Sequence, residues 1–153
     1  MITFYKEFGP WGFLASYSNH GFFVDGIWWP TTEHYYQAQK FDDPKIQEMI
    51  RSAKTPKMAS EIGRDRNLPL KQNWDKLRCD VMYFAVLKKF QFNNDICFKL
   101  LATGDEEIVE KTTKEFFWGC GPDGTGKNTY GKILCAVRDE LRKNYWLMLI
   151  KAV

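Results

Sequence analysis

Cysteine and histidine are scarce: the 153 residues hold four of the first and two of the second. Cys79, Cys97, Cys120 and Cys135 form no C-x-x-C pair and have no histidine at ligand spacing, which argues against zinc. His20 and His34 stand beside no obvious nucleophile, so a Ser/His or Cys/His arrangement lacks support. The basic start and apolar run of a signal peptide are missing at Met1-Ile2-Thr3-Phe4. Free thiols in the cytoplasm are therefore the simple expectation. No long apolar run exists either, because the stretch 146–150 is far too short to span a bilayer. Charge of one sign is also lacking. Twenty-two basic against 19 acidic residues leave +3, too little by itself to argue for nucleic acid but compatible with an anionic small molecule. Internal repeats, low-complexity tracts and linkers are absent as well.

What is plentiful is aromatic: 16% of the chain, within an apolar content of 44% and a charged content of 27%. These are values of a soluble globular protein, and the length suits one domain, 1–153, burying roughly two-thirds of its unfolded surface. The rings imply either a core built of them or a pocket that stacks a flat heterocycle.

Read in order, Phe4 to Phe8 suggests a short strand, and Gly9-Pro10-Trp11-Gly12 turns the chain. Phe22-Phe23-Val24, Asp25-Gly26 and Ile27-Trp28-Trp29 predict a β-hairpin, since Asp-Gly accepts the positive φ angles of a two-residue type I′ loop. Asp43 with Pro44 starts a helix to about Ala53, and Thr55 with Pro56 starts another ending near Gly63. The longest predicted helix runs from about Trp74 to Phe90, with Leu77, Val81, Phe84, Ala85 and Leu87 as its core-facing residues. Asn94 caps a helix ending at Gly104, and Ile108 to Thr112 alternates weakly, as a strand would. A last helix, about Tyr130 to Lys143, buries Ile133, Leu134, Val137 and Leu141. The sum is an α+β, mostly helical single domain with a small β-sheet and hairpin.

The most informative stretch is Pro30-Thr31-Thr32-Glu33-His34-Tyr35-Tyr36-Gln37-Ala38-Gln39-Lys40-Phe41. Thr31 or Thr32 caps a helix, and Asp42-Asp43-Pro44 stops it, because the residue before proline is pushed out of the helical region. Glu33, Gln37 and Lys40 then share one face at i, i+4 and i+7, over roughly 10.5 Å of rise. An acid, an amide and an amine on one stripe are either solvated or functional, and composition does not decide between them.

The loop from Trp118 to Asn128 carries two near-matches to nucleotide motifs. Gly121 to Lys127 fits G-x-x-x-x-G-K, but Asn128 stands where a P-loop needs a hydroxyl for magnesium. Gly119, Gly121 and Gly124 fit G-x-G-x-x-G, with Pro122 inside and no strand-then-helix frame. A weaker inference is a loop that exposes N–H groups to a ligand; a plain turn is the alternative. Gly63-Arg64-Asp65-Arg66 offers guanidinium groups suited to phosphate, or surface arginines paired with Asp65 or Glu61. Trp74 and Trp118 are core residues or ligand platforms.

Val24-Asp25-Gly26, Trp29 through Phe41, Gly63-Arg64, Asn73-Trp74, Trp118-Gly119, Gly124, Gly126-Lys127-Asn128, Gly131 and Val137-Arg138, in this order, resemble the YbiA-like, or NADAR, N-glycosidases. The resemblance runs from about Phe4 to Leu141. It implies a mostly helical α+β domain, without a cofactor, that cleaves the bond between ribose C1′ and a ring nitrogen. The implied substrates are the ribosylamino-pyrimidine phosphates early in riboflavin synthesis, or ADP-ribose on guanine, with nucleic acid as a carrier of that guanine and no membrane partner. By the motif match, Glu33 and Lys40 are the reactive pair, with Arg64, Trp74, Trp118 and Asn128 around the substrate. Many members have Ser-Asn-Phe where this chain has Ala15-Ser16-Tyr17, and Asp between the two glycines after the loop tryptophan, where it has Cys120. A non-catalytic module binding ADP-ribose or nucleotide phosphates is the alternative that these two departures motivate.

Overall fold

The Asp-Gly turn forms as its sequence dictates. In the computed structural model, which describes residues 1–152, β2 (Phe22–Val24) pairs antiparallel with β3 (Ile27–Trp29), Val24 opposite Ile27. Asp25 and Gly26 have φ of 50° and 78°, the left-handed pair of a type I′ loop. The chain falls into two compact units: Ser16–Phe92, and Met1–Ala15 joined to the stretch from Asn93 onward.

In the first unit the hairpin leads into α1 (Thr32–Ala38), α2 (Pro44–Arg51), α3 (Pro56–Gly63) and α4 (Trp74–Phe92). Each of the first three starts at an oxygen that accepts an otherwise unpaired N–H: Thr31 from His34, Asp43 from Lys45 and Thr55 from Met58. Phe22, Trp29, Ala38, Phe41, Ile50 and Ala85 form the core between hairpin and helices.

Two expectations for this unit need correction. First, α1 ends at Ala38, short of Asp42-Asp43-Pro44. Lys40 N–H donates to Gln37 at 3.3 Å and Phe41 N–H to Ala38 at 3.2 Å, the tighter i→i+3 pattern that uses up a helix's last carbonyls. Lys40 therefore stands just past the helix. Second, α4 buries Trp74, Met82, Ala85, Val86, Lys89 and Phe90, not the stripe of Leu77, Val81, Phe84 and Leu87, which is half-buried. A lysine occupies a core position, which no hydrophobic pattern reveals.

In the second unit β1 (Ile2–Phe4) pairs parallel with β4 (Ile108–Glu110). The strand thus ends where one was expected to begin, since Lys6 turns the chain with φ 52°. After α5 (Asn94–Leu101), capped at Asn93 rather than Asn94, α6 runs Thr129–Ala152. It buries Ile133, Leu134, Val137 and Leu141 as expected but extends beyond Lys143. Arg138, also buried, donates to Thr103 Oγ1 at 2.8 Å and the Glu106 carbonyl at 2.9 Å. The small sheet is thus two separate two-stranded sheets.

The entry to α1 is stapled by His34, which is 1% exposed. Its Nε2 donates to the Ala53 carbonyl at 2.9 Å, which leaves Nδ1 to accept from Thr31 Oγ1 at 2.8 Å. Burial pulls its pKa below the usual 6.5, opposed by the Ala53 bond. A folded-state pKa below the unfolded one stabilises fully above pH 6.5 and loses that contribution as pH falls towards the folded value. His34→Gln is expected to flatten the acid-side decline in melting temperature between about pH 6.5 and pH 5, measured by thermal melts against the parent.

Candidate active site

Glu33 opens α1 at the turn where first-turn N–H groups favour an anion. It is 6% exposed. Gln37 Nε2 donates to its Oε1 at 2.7 Å, and Ser16 Oγ to its Oε2 at 3.1 Å. Ser16 also accepts the Glu33 N–H at 3.1 Å through its carbonyl. Of this set the sequence marks Gln37 through helical spacing. Ser16 lies seventeen residues upstream, with no periodicity to flag it.

Lys40 Nζ donates to the Gly63 carbonyl at 3.3 Å and lies 5.7 Å from the Tyr36 ring centroid. Burial lowers its pKa; the Glu33 charge works the other way and the Arg64 guanidinium adds to the lowering. The net effect enlarges the fraction present as free amine. Tyr36, itself buried, packs its ring 5.2 Å from Trp74 and accepts a hydrogen bond from the indole. Burial, above all, raises the Tyr36 pKa, so the phenol stays protonated.

Lys40 and Trp74 border a cleft of about 440 Å³ lined also by Phe41, Gly63, Arg64 and Arg66 among others, a size suited to a small ligand. Arg64 is the C-cap of α3, and the Asp65 carboxylate accepts the Asn67 N–H at 2.9 Å to turn the chain between the two arginines. Trp74 is 5% exposed and so forms wall rather than a free-standing platform. Glu33 is not among the residues lining this cleft, but its charge acts on Lys40. The structure thus brings Glu33, Lys40, Arg64 and Trp74 into one unit.

Trp118 and Asn128 belong to the other unit. Trp118 is half-buried, its ring 4.8 Å from Phe117. Asn128, with φ 51°, uses its amide as a piece of strand: Oδ1 accepts from Glu110 N–H at 3.0 Å and Nδ2 donates to the Ile108 carbonyl at 2.9 Å.

The glycine-rich loop does not present the open row of N–H donors expected of it. Cys120, Gly124, Gly126, Lys127 and Asn128 all donate to backbone carbonyls of the same unit. Gly121 donates to Thr112 Oγ1 and Thr125 to Asp123. The Glu115 carboxylate accepts from Phe117, Trp118 and Gly119, so these three N–H groups are already engaged by an anion. Close packing rather than phosphate approach accounts for Gly126, where a Cβ would lie 2.4 Å from the Gly119 carbonyl oxygen. Among the described residues no group of three or more His, Cys, Asp or Glu is placed to hold a metal ion. Among the same residues no helix is long and apolar enough to cross a membrane.

The NADAR domain family matches residues 3–142. An N-glycosidase of Nostoc punctiforme is 44% identical over 144 residues, spanning 92% of each chain. N-glycosidase YbiA of Escherichia coli is 40% identical over 92% of this chain and 88% of its own. A riboflavin biosynthesis protein of Vibrio vulnificus is 42% identical over 94% of this chain, which corresponds to 39% of that longer protein. The NMR structure of E. coli YbiA aligns with a TM-score of 0.88 at 39% identity, over 95% of this chain and 86% of that one. The chain belongs to the NADAR family. It is an enzyme of the N-glycosidase class, a hydrolase acting on N-glycosyl compounds.

Proposed function

We propose that this enzyme works in the cytoplasm as one NADAR domain and hydrolyses the ribose C1′–N bond of a ribosylamino-pyrimidine phosphate of riboflavin synthesis. The observation that carries the reading is the Lys40 amine, lowered in basicity by burial, at the wall of a cleft that Arg64 also lines. Relatives named for riboflavin biosynthesis, from Vibrio vulnificus and Zea mays, support the substrate class. Free thiols at all four cysteines fit a reducing compartment.

The chemistry follows from the residues. Breaking C1′–N builds positive charge at C1′ and the ring oxygen, which the Glu33 carboxylate stabilises. In the covalent route the ring oxygen takes up a proton and leaves C1′ as the glycosidic nitrogen forms an iminium. The Lys40 lone pair adds to C1′, and the heterocycle departs as a neutral amine once a proton moves to its nitrogen. The Schiff base that remains adds water, which frees Lys40 and the sugar aldehyde. Arg64 pairs with the phosphate, and Trp74 walls the heterocycle.

A second substrate, ADP-ribose on guanine, including guanine carried by DNA, is favoured by one observation: Arg66 lines the cleft together with Arg64, two guanidinium groups for a diphosphate. Both classes are tested together. Wild-type protein is expected to release ribose 5-phosphate from the ribosylamino-pyrimidine phosphate, and Glu33→Gln to do so about a hundred- to a thousandfold more slowly. Release of ADP-ribose alone from an ADP-ribosylated guanine oligonucleotide would move the assignment to the second substrate. Tight ADP-ribose binding in calorimetry with no product from either substrate would replace the enzyme by a binding module.

A further inference from the structure

The Glu33 carboxylate has a donor on each oxygen, Gln37 Nε2 at 2.7 Å and Ser16 Oγ at 3.1 Å. Gln37 is 3% exposed, and its own Oε1 is buried without a hydrogen-bond partner. Such an orphaned acceptor is costly, so something must fix the amide in this orientation. Turning it over would press Oε1 against a Glu33 oxygen, two acceptors face to face, which only a protonated carboxyl would tolerate. Nor has the amide room to swing aside. A Cβ on Gly63 would lie 2.1 Å from Gln37 Oε1, so the α3 backbone closes that side. Ser16 grips the same residue twice, hydroxyl to carboxylate and carbonyl to N–H, the latter at 3.1 Å. The orientation of the Gln37 amide is therefore the one that a negatively charged, immobile Glu33 requires.

We propose that Ser16 and Gln37 are positioning residues that hold Glu33 as a fixed anion, so that Glu33 stabilises positive charge on the substrate and is not its proton donor. The proposal rests on the N-glycosidase reading for its consequence in turnover, but the state of the carboxylate is measurable without substrate. A carboxylate that loses donors is protonated more readily. A proton donor would be helped by that change at neutral pH, whereas a stabilising anion is harmed by it.

The full chain is compared with Ser16→Ala, Gln37→Leu and Ser16→Thr, the last keeping the hydroxyl. With a ribosylamino-pyrimidine phosphate, Ser16→Ala and Gln37→Leu are expected to lower kcat about ten- to a hundredfold. KM should stay within about threefold. Ser16→Thr should recover most of the loss. In ¹³C-labelled protein without substrate at neutral pH, the Glu33 carboxyl resonance, identified by its absence in Glu33→Gln, should have the chemical shift of a carboxylate and not of a carboxylic acid. Ser16→Ala removes a single oxygen and carries the test if Gln37→Leu does not fold. A kcat that is unchanged or raised at neutral pH would overturn the proposal, as would a rise in KM alone. A Glu33 resonance at the position of a carboxylic acid would overturn it too. Absence of turnover by the wild type would instead sink the N-glycosidase reading and leave the carboxyl resonance to decide the state of Glu33.

Discussion

Lys40→Ala is expected to lose about two to four orders of magnitude in turnover, the range for removing a group that reacts directly with substrate. Lys40→Arg should be no better, because a guanidinium stays charged and forms no Schiff base. The wild type treated with borohydride during turnover should retain the sugar as a permanent adduct on Lys40, read by peptide mass spectrometry, and neither variant should. The pH dependence has a definite sign. In the proposed covalent route the reactive form is the neutral amine, and burial holds its pKa below the 10.5 of an ordinary lysine. The rate should therefore rise with pH and level off earlier than a solvated lysine would allow. Turnover by Lys40→Ala at the wild-type rate would remove the amine from the mechanism and leave the Glu33-stabilised direct hydrolysis.

The second large effect lies outside the site. Lys89 is fully buried on the core face of α4, and burial pulls its pKa down to about 7. An unfolded chain restores the ordinary 10.5, so between these values the unfolded state binds the extra proton and stability rises with pH. The contribution is complete above about pH 10.5, falls as pH drops towards 7, and changes little below that. Between pH 7 and pH 10 the difference amounts to roughly 3 to 4 kcal/mol. Lys89→Met keeps a flexible side chain of similar length without the charge. It should be more stable than the parent at pH 7, with a gain that shrinks towards pH 10. Urea unfolding of both proteins at the two pH values checks this. Equal pH slopes would show that Lys89 has an ordinary lysine's proton affinity in the folded protein.

The contrast between Lys40 and Lys89 shows where sequence reading reaches and where it stops. Local chemistry was readable along the chain. Thr31, Asp43 with Pro44, and Thr55 with Pro56 cap helices because the rules for satisfying first-turn N–H groups are local. Asp25-Gly26 makes its turn because those two residues tolerate positive φ. The stripe of Glu33, Gln37 and Lys40 was visible as a spacing, and the family to which the chain belongs could be read from motifs in order. The end of α1 was not, since the tightened last turn at Gln39 and Lys40 depends on what the carbonyls find nearby. Nor was the glycine-rich loop: glycines announce freedom of conformation, not which N–H groups the chain consumes itself.

The sequence alone determined the hairpin, the α+β class and the caps at Asp43 and Thr55, all consequences of neighbours within a few positions. Only the tertiary structure decided that Ser16 grips Glu33, that Gly63 leaves space for the Gln37 amide, and that Lys40 and Lys89 lose their solvation. Desolvation and hydrogen-bond pairing depend on atoms brought together from distant parts of the chain, and no local pattern encodes them.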